Sequence, residues 1–315
     1  MPNVNPVKRR VWLSELETEA YRLNVSLRCS SERVRERKTV RVPQLTTSIH
    51  ILLLWVPFTV LASAPLAQAE TERERAAKML VEPIYPIWLA QAKAWTSDMQ
   101  LMKSMTEHAI RGLAAKLPAD CDVDRMKRDI CGIRPFTVPS SSMLPSVQES
   151  EVIAAQVLDY KSVSRGDLIV HKARFQGGDE TVALSRIIGL PGETVELRND
   201  RIFINGKEMS ATATGQAIKQ GFSSGEVYVE TTPEGRSYSI LLSPKTPPGV
   251  VSNFGPVILP TDRYFVLGDN RHNSVDSRYP HDFNGDGQVR KESIIGVALS
   301  VLVSRDADRI GKQPP

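Results

Sequence analysis

The chain is poor in the side chains that build metal centres and aromatic cofactor boxes. It has 5 histidines and 3 cysteines in 315 residues, and aromatic residues make up only 6%. No Cys/His spacing matches a zinc site, so neither a metal nor another cofactor is expected. Internal repeats and low-complexity tracts are absent, which excludes a repeat array. A long membrane-spanning run is missing too. The apolar core Ile49–Ala62 is shorter than the ~20 residues a full spanning helix needs. Charge of either sign is absent from Val42 to Ala69.

What surrounds that apolar run gives it meaning. The formal net charge is +4, and the segment before His50 holds ten Lys/Arg against five Glu. A basic arm can bind nucleic acid, but this one sits directly before the apolar run, so membrane orientation is the better reading and no nucleic-acid partner is expected. A buried helix of a soluble core would not carry that flanking step in charge. Ala67-Gln68-Ala69 has the small-x-small pattern of a cleavage site. Two readings stand: an uncleaved signal anchor, or a removed signal peptide. Both leave residues 1–48 as a cytoplasmic basic arm, 49–69 as signal sequence or anchor, and everything after Glu70 outside. Cys121 and Cys131 then fall on the oxidising side, and we expect them to form a disulfide, with Cys29 left alone.

Residues 70–120 read as a helical segment. Charged Glu70–Arg75 opens it, Pro83 and Pro86 interrupt it, and Leu117-Pro118 ends it. Trp88, Ala92, Trp95, Met99 and Met102 recur at spacings of four and three, which predicts an apolar packing stripe. After Cys131 the texture changes to short β-rich runs: 151–158, 167–171, 181–188, 194–197, 201–204, 238–242, 263–267 and 293–303. Arg198-Asn199-Asp200-Arg201 predicts a tight hairpin turn. The fold class is therefore mainly β over 132–304, with a tail at 305–315.

Pro139-Ser140-Ser141-Ser142-Met143-Leu144-Pro145 is the most informative segment. Two prolines pin an irregular stretch of small hydroxyl residues. Such a stretch can present a serine oxygen to an extended peptide with a hydroxyl and a backbone N–H nearby to take oxyanion charge. Three further motifs follow: Arg165-Gly166-Asp167-Leu168-Ile169-Val170, Arg186-Ile187-Ile188-Gly189-Leu190-Pro191-Gly192, and Gly268-Asp269-Asn270-Arg271 with Ser274-Val275-Asp276-Ser277-Arg278. In this order the four segments resemble the sequence boxes of bacterial type I signal peptidases, the serine–lysine family. The resemblance spans about 136–303.

That resemblance implies a signal-peptidase-type all-β catalytic domain preceded by a signal or anchor helix, and a serine endopeptidase of the inner membrane or periplasm. It would cut exported precursors after small residues of the Ala-x-Ala type. Ser142 would be the nucleophile. The Ser142 N–H and the Ser140 hydroxyl would form the oxyanion hole, Ser274 would orient the base, and Asp276 and Arg278 would form a supporting ion pair. Arg186 and Asp269 would be structural. Phe136, Val138, Val170 and Leu184 would line the two substrate pockets, although plain core packing asks for the same residue types. Residues 209–255 would be a variable insertion.

One departure is serious. The family's general-base lysine stands immediately before the arginine of the Leu-Pro-Gly box, and here that position is Ser185. A neutral hydroxyl is a poor proton acceptor, so Ser142 is expected to be a weak nucleophile unless the base has moved. Strand alternation from Val170 points Lys172 toward the pocket and His171 away from it. A non-catalytic relative that binds signal-peptide-like segments, or a conjugation-type processing peptidase with one dedicated substrate, are the alternatives. Asp282-Phe283-Asn284-Gly285-Asp286-Gly287-Gln288, an insertion relative to the family, resembles the start of a calcium loop. It lacks the twelfth-position acid, so a solvated turn is expected.

Overall fold

Helices form where one face can be buried, and the strands that follow carry the site. The structure, a computed structural model, describes residues 70–91, 98–157, 163–220 and 223–314. The basic arm and the apolar run at 49–69 lie outside these residues. No helix among the described residues is long and apolar enough to cross a membrane.

Helix α1 is Glu72–Gln91, α2 is Met99–Ala114 and α3 is Val123–Asp129. Asp98 caps α2, accepting from the N–H groups of Gln100 at 2.9 Å and Leu101 at 3.2 Å. Pro83 and Pro86 do not interrupt α1, contrary to the sequence expectation. A proline removes one N–H donor and strains one turn, at ~3 kcal/mol. Here the face formed by Ala76, Ala77, Val81 and Tyr85 is buried, and that packing outweighs the local cost.

The predicted stripe is also displaced. Met99 is 72% exposed and Met102 half-buried, whereas Met105, Ala109 and Leu113 are the buried face of α2. Ala92, Trp95 and the Trp88 side chain lie outside what is described. Cys121 and Cys131, ten residues apart, are joined by a disulfide inside the helical core.

The strands are β1 Ile133–Thr137, β2 Val152–Gln156, β3 Leu168–Arg174, β4 Glu180–Gly189, β5 Thr194–Arg198, β6 Arg201–Ile204 and β7 Lys207–Glu208. They continue as β8 Ser210–Gln220, β9 Ser223–Thr231, β10 Ser237–Leu242, β11 Phe254–Ile258, β12 Arg263–Leu267, β13 Val289–Arg290 and β14 Ile294–Val303. The main sheet has the order β1-β2-β14-β3-β4-β12-β13, and the smaller sheets are β10-β9-β8 and β11-β5-β6-β7. The hairpin of β5 and β6 turns at Asn199 and Asp200, both at positive φ, as an Asn-Asp turn permits. The segment 209–255 is more ordered than its Gly/Ser/Thr content suggests, since it supplies the whole three-stranded sheet.

Helices α1 and α2 pack on β14, the third strand of the main sheet, and α3 packs on α1. The Tyr85 hydroxyl donates to the Leu302 carbonyl at 2.9 Å. The C-terminal residues return to the same region. Arg309 pairs with Glu151 at 2.6 Å, and Ile310 is buried. Gly112 and Gly311 meet so closely that a Cβ on Gly112 would lie 2.1 Å from the Gly311 Cα.

Candidate active site

The serine segment leaves β1 and is held by the side chains that follow the serines. Met143 and Leu144 are fully buried, in two different apolar clusters, so the turn between them is anchored on both sides. The Asn270 backbone N–H donates to the Ser142 carbonyl at 2.9 Å, and the Asn270 amide donates to the Ser141 carbonyl at 3.0 Å. These contacts tie the segment to the loop after β12. The hydroxyls of Ser140 and Ser142 stand 3.0 Å apart at the accessible side.

The loop after β12 folds around one carboxylate. Asp276 is buried and accepts from the Ser274 hydroxyl at 2.6 Å, from the Gly268 N–H at 3.1 Å and from Arg278 at 2.8 Å. Arg278 also donates to the Arg271 carbonyl at 2.6 Å and to Ser274 at 3.2 Å. Burial opposes the charge on Arg278, and Asp276 more than offsets it, so the guanidinium holds its proton more tightly than usual. Gly268 is required by close approach. A Cβ there would sit 2.7 Å from the Ser274 hydroxyl and 2.8 Å from the Ser142 carbonyl oxygen.

Two buried ion pairs brace this loop. Arg186 grips Asp269 through two hydrogen bonds of 2.7 and 2.6 Å, donates to the Gly166 carbonyl and the Ser146 hydroxyl, and lies over the Tyr238 ring at 4.0 Å. Arg271 grips Glu230 through bonds of 2.8 and 2.6 Å. The planar fork of arginine suits such bidentate pairing.

The four pocket candidates come together. Val138 and Val170 are buried in one cluster, with Phe136 and Leu184 packed half-buried against it and Met143 beside them. Val170 and Leu184 are direct cross-strand partners.

The candidates for a displaced base are arranged otherwise than expected. Ser185 pairs with Ile169, not with Val170, so alternation puts Ser185 on the face of Ile169 and His171. His171 faces away from the wall formed by Val170 and Leu184, as expected, but this puts it on the face of Ser185, and its Nε2 lies 3.1 Å from the Ser185 hydroxyl. Lys172 runs to the surface, half-exposed, and pairs with Glu180 at 3.1 Å. Nδ1 of His171 lies 3.0 Å from the Lys172 carbonyl, which can only accept. The ring proton is therefore assigned to Nδ1, and Nε2 accepts from Ser185. Burial lowers the His171 pKa to about 4, with the carbonyl contact opposing the shift.

Two side-chain oxygens of the segment 282–288 accept backbone hydrogen bonds. The Asn284 amide oxygen accepts from the Arg174 N–H at 2.9 Å, and Asp286 accepts from the Gln288 N–H at 2.9 Å. Among the described residues, no group of three or more His, Cys, Asp or Glu could hold a metal.

Sequence reasoning did not single out Ser141, Ser223 and Asn273. The Ser141 hydroxyl accepts from Ser223 at 3.2 Å and from the Asn273 amide at 3.1 Å, which ties β9 to the serine segment. Nothing local to those residues signals this, because β9 is reached only through the tertiary fold.

Comparison with known proteins bears on this arrangement. The family model "Signal peptidase, peptidase S26" matches residues 130–303. Signal peptidase I P of Bacillus subtilis subsp. natto is 34% identical over 182 residues, covering 56% of this chain and 81% of that protein. Signal peptidase I S of Bacillus subtilis is 33% identical over 170 residues, covering 53% of this chain and 76% of the relative. Signal peptidase I of Rickettsia typhi is 32% identical over 201 residues, covering 55% and 72%. A crystal structure of a signal peptidase I from Enterococcus faecalis is 29% identical and covers 44% of this chain and 98% of its own, with a TM-score of 0.25. With its family model spanning the serine segment, the loop after β12 and the strands between them, the chain belongs to the signal peptidase family, peptidase S26.

Proposed function

We propose that the chain is a serine endopeptidase that removes signal peptides from exported precursors by cutting after small residues. Ser142 Oγ attacks the scissile carbonyl. The Ser142 N–H and the Ser140 hydroxyl receive the oxyanion, a type of stabilisation that is usually the largest single contribution to acyl transfer. Asp276 and Arg278 hold Ser274 at the side of the nucleophile. The apolar wall of Phe136, Val138, Val170 and Leu184 favours alanine by excluding larger side chains. The observation that carries this reading is the 3.0 Å contact of the Ser140 and Ser142 hydroxyls, on a segment fastened through Asn270 to the loop that holds Ser274.

The basic arm and apolar run support a location at the inner membrane with the β-rich part outside, or release after Ala69. The membrane and the signal-peptide-bearing precursor are then the partners. Incubation of the purified protein with an Ala-x-Ala precursor, with Ser142→Ala as control, tests the proposal. Cleavage by the wild type alone is expected. Equal products from both proteins, or binding with no cleavage, would refute it.

A further inference from the structure

We infer that His171 takes the proton of the nucleophile through the Ser185 hydroxyl, standing in for the lysine of the family pattern, which this chain replaces with Ser185. The inference rests on the reading of Ser142 as nucleophile and deepens it.

The geometry runs through the end of β12. The last strand pair is Leu267 with Arg186, and that register, continued one residue past the strand end, brings Gly268 opposite Ser185. Direct cross-strand partners point to the same face, with Cβ atoms about 4.5–5.5 Å apart. A Cβ on Gly268 would touch both the Ser274 hydroxyl, at 2.7 Å, and the Ser142 carbonyl, at 2.8 Å. Ser185 therefore faces the strip that holds Ser142 and Ser274. Behind it, 3.1 Å away, lies Nε2 of His171.

The imidazole is built in rather than merely tolerated. Its Nδ1–H is committed to the Lys172 carbonyl, which leaves Nε2 as the only acceptor. Its ring meets Phe283 edge-on, at 6.0 Å between centroids and 87° between planes. Phe283 belongs to the 282–288 segment, is 1% exposed, and bridges to Phe175 of the strand region that carries His171. The two departures from the family pattern, Ser185 and the added segment, thus meet at one side chain. The groups shown beside the ring are Ser185 from β4, Ile294 as the cross-strand partner on β14 and Phe283 from the added segment. The neighbouring Lys172 ammonium is directed away to Glu180, and burial and the carbonyl contact are the influences on the ring's titration.

The step balances. Ser142 Oγ bonds to the scissile carbonyl carbon, and the carbonyl π pair moves to oxygen. The Ser142 proton passes to Ser185 Oγ, directly or across one water that is not consumed, while the Ser185 proton passes to Nε2. The imidazolium and the oxyanion appear together, so no net charge is created in the site. When the C–N bond breaks, the same path returns the proton to the leaving amine. Water then hydrolyses the acyl-enzyme, giving its proton up along the same route. His171 is thus a positioning and proton-accepting residue that acts through Ser185.

The test is a peptide boronic acid ending in alanine, bound to full-length protein labelled with ¹⁵N-histidine. Boron bonds to Ser142 Oγ, and the negative charge of the tetrahedral boronate should raise the His171 pKa from about 4 to above neutrality, so that the ring changes from an Nδ1–H imidazole to an imidazolium at pH 7. The conversion should be lost in Ser185→Ala and kept in Ser185→Thr. In precursor cleavage, Ser185→Ala and His171→Phe should lower kcat/KM ~10²- to 10⁴-fold, the usual worth of general-base assistance, mainly through kcat. The wild-type profile should stay flat from pH 7 to 5 and fall below about 4, where the ring itself is protonated. An adduct on Ser142 with His171 still neutral overturns the inference. So does undiminished cleavage by both variants when thermal unfolding shows them folded, or failure of the boronate to react with Ser142. Adduct formation with an imidazolium but no cutting of any Ala-x-Ala precursor would instead refute the substrate reading and leave the relay standing.

Discussion

Burying a neutral imidazole makes the fold sensitive to acid, and the size of the effect follows from His171. In an unfolded chain its pKa is near 6.5, and in the folded protein burial lowers it to about 4. Between these values the unfolded state binds more protons than the folded state, so stability falls as pH falls. The contribution is complete above about 6.5, declines through the window and is fully lost near 4. At about 1.4 kcal/mol per pKa unit, the loss is about 3 kcal/mol, an order-of-magnitude value. That is a large share of the 5–15 kcal/mol typical of a domain. Urea unfolding of wild type and His171→Phe from pH 7.5 to pH 4 isolates the effect, because carboxylate titrations are common to both. Loss of the Ser185 hydrogen bond in the variant shifts its curve by a constant. The wild-type-minus-variant difference should change by about 3 kcal/mol across the window. Parallel stability curves would refute the reasoning and show that the imidazole is not held neutral by burial.

Three further outcomes are expected. Replacing Cys121 and Cys131 with serine should destabilise the fold by about 3 kcal/mol in chemical unfolding, the chain-entropy cost of reopening a loop of this length, and finding both thiols freely alkylated in native protein would contradict the disulfide. Asp269→Ala strands the buried Arg186 guanidinium and should cost about 3–5 kcal/mol, whereas a thermal midpoint within a degree of wild type would show that the pair bears no load. Gly268→Ala forces Ser142 and Ser274 apart, and a shift of even ~1 Å can lower turnover about 10²-fold; wild-type turnover on an Ala-x-Ala precursor would mean that this close approach does not set the geometry.

Much of the local structure was legible because it depends on neighbours in sequence. The alternating runs at 181–188, 201–204 and 263–267 lie within strands, and Asn199-Asp200 makes the tight turn that its residue types favour. Cys121 and Cys131 pair across only ten residues. The serine segment and the Ser274-Asp276-Arg278 loop each declared themselves by composition and order. Other expectations failed where packing overrides propensity. Pro83 and Pro86 stay inside α1 because the buried face of that helix outweighs two local penalties. The polar stretch 210–220 forms β8 because β9 offers it a complete antiparallel edge.

The sequence by itself determined which residues are available for chemistry: a nucleophile segment, a loop with a carboxylate and a guanidinium, and a serine where the family pattern has an amine. Only the tertiary structure decided which basic group stands beside that serine. Alternation within β3 says that Val170 and His171 face opposite ways, but not which of them shares a face with Ser185. That depends on the register of β3 against β4, and a slip of one residue would exchange every side chain between faces. The Ile169–Ser185 pairing puts His171 against Ser185 and sends Lys172 out to Glu180. Register is settled by burial across the whole sheet, and no single segment contains it.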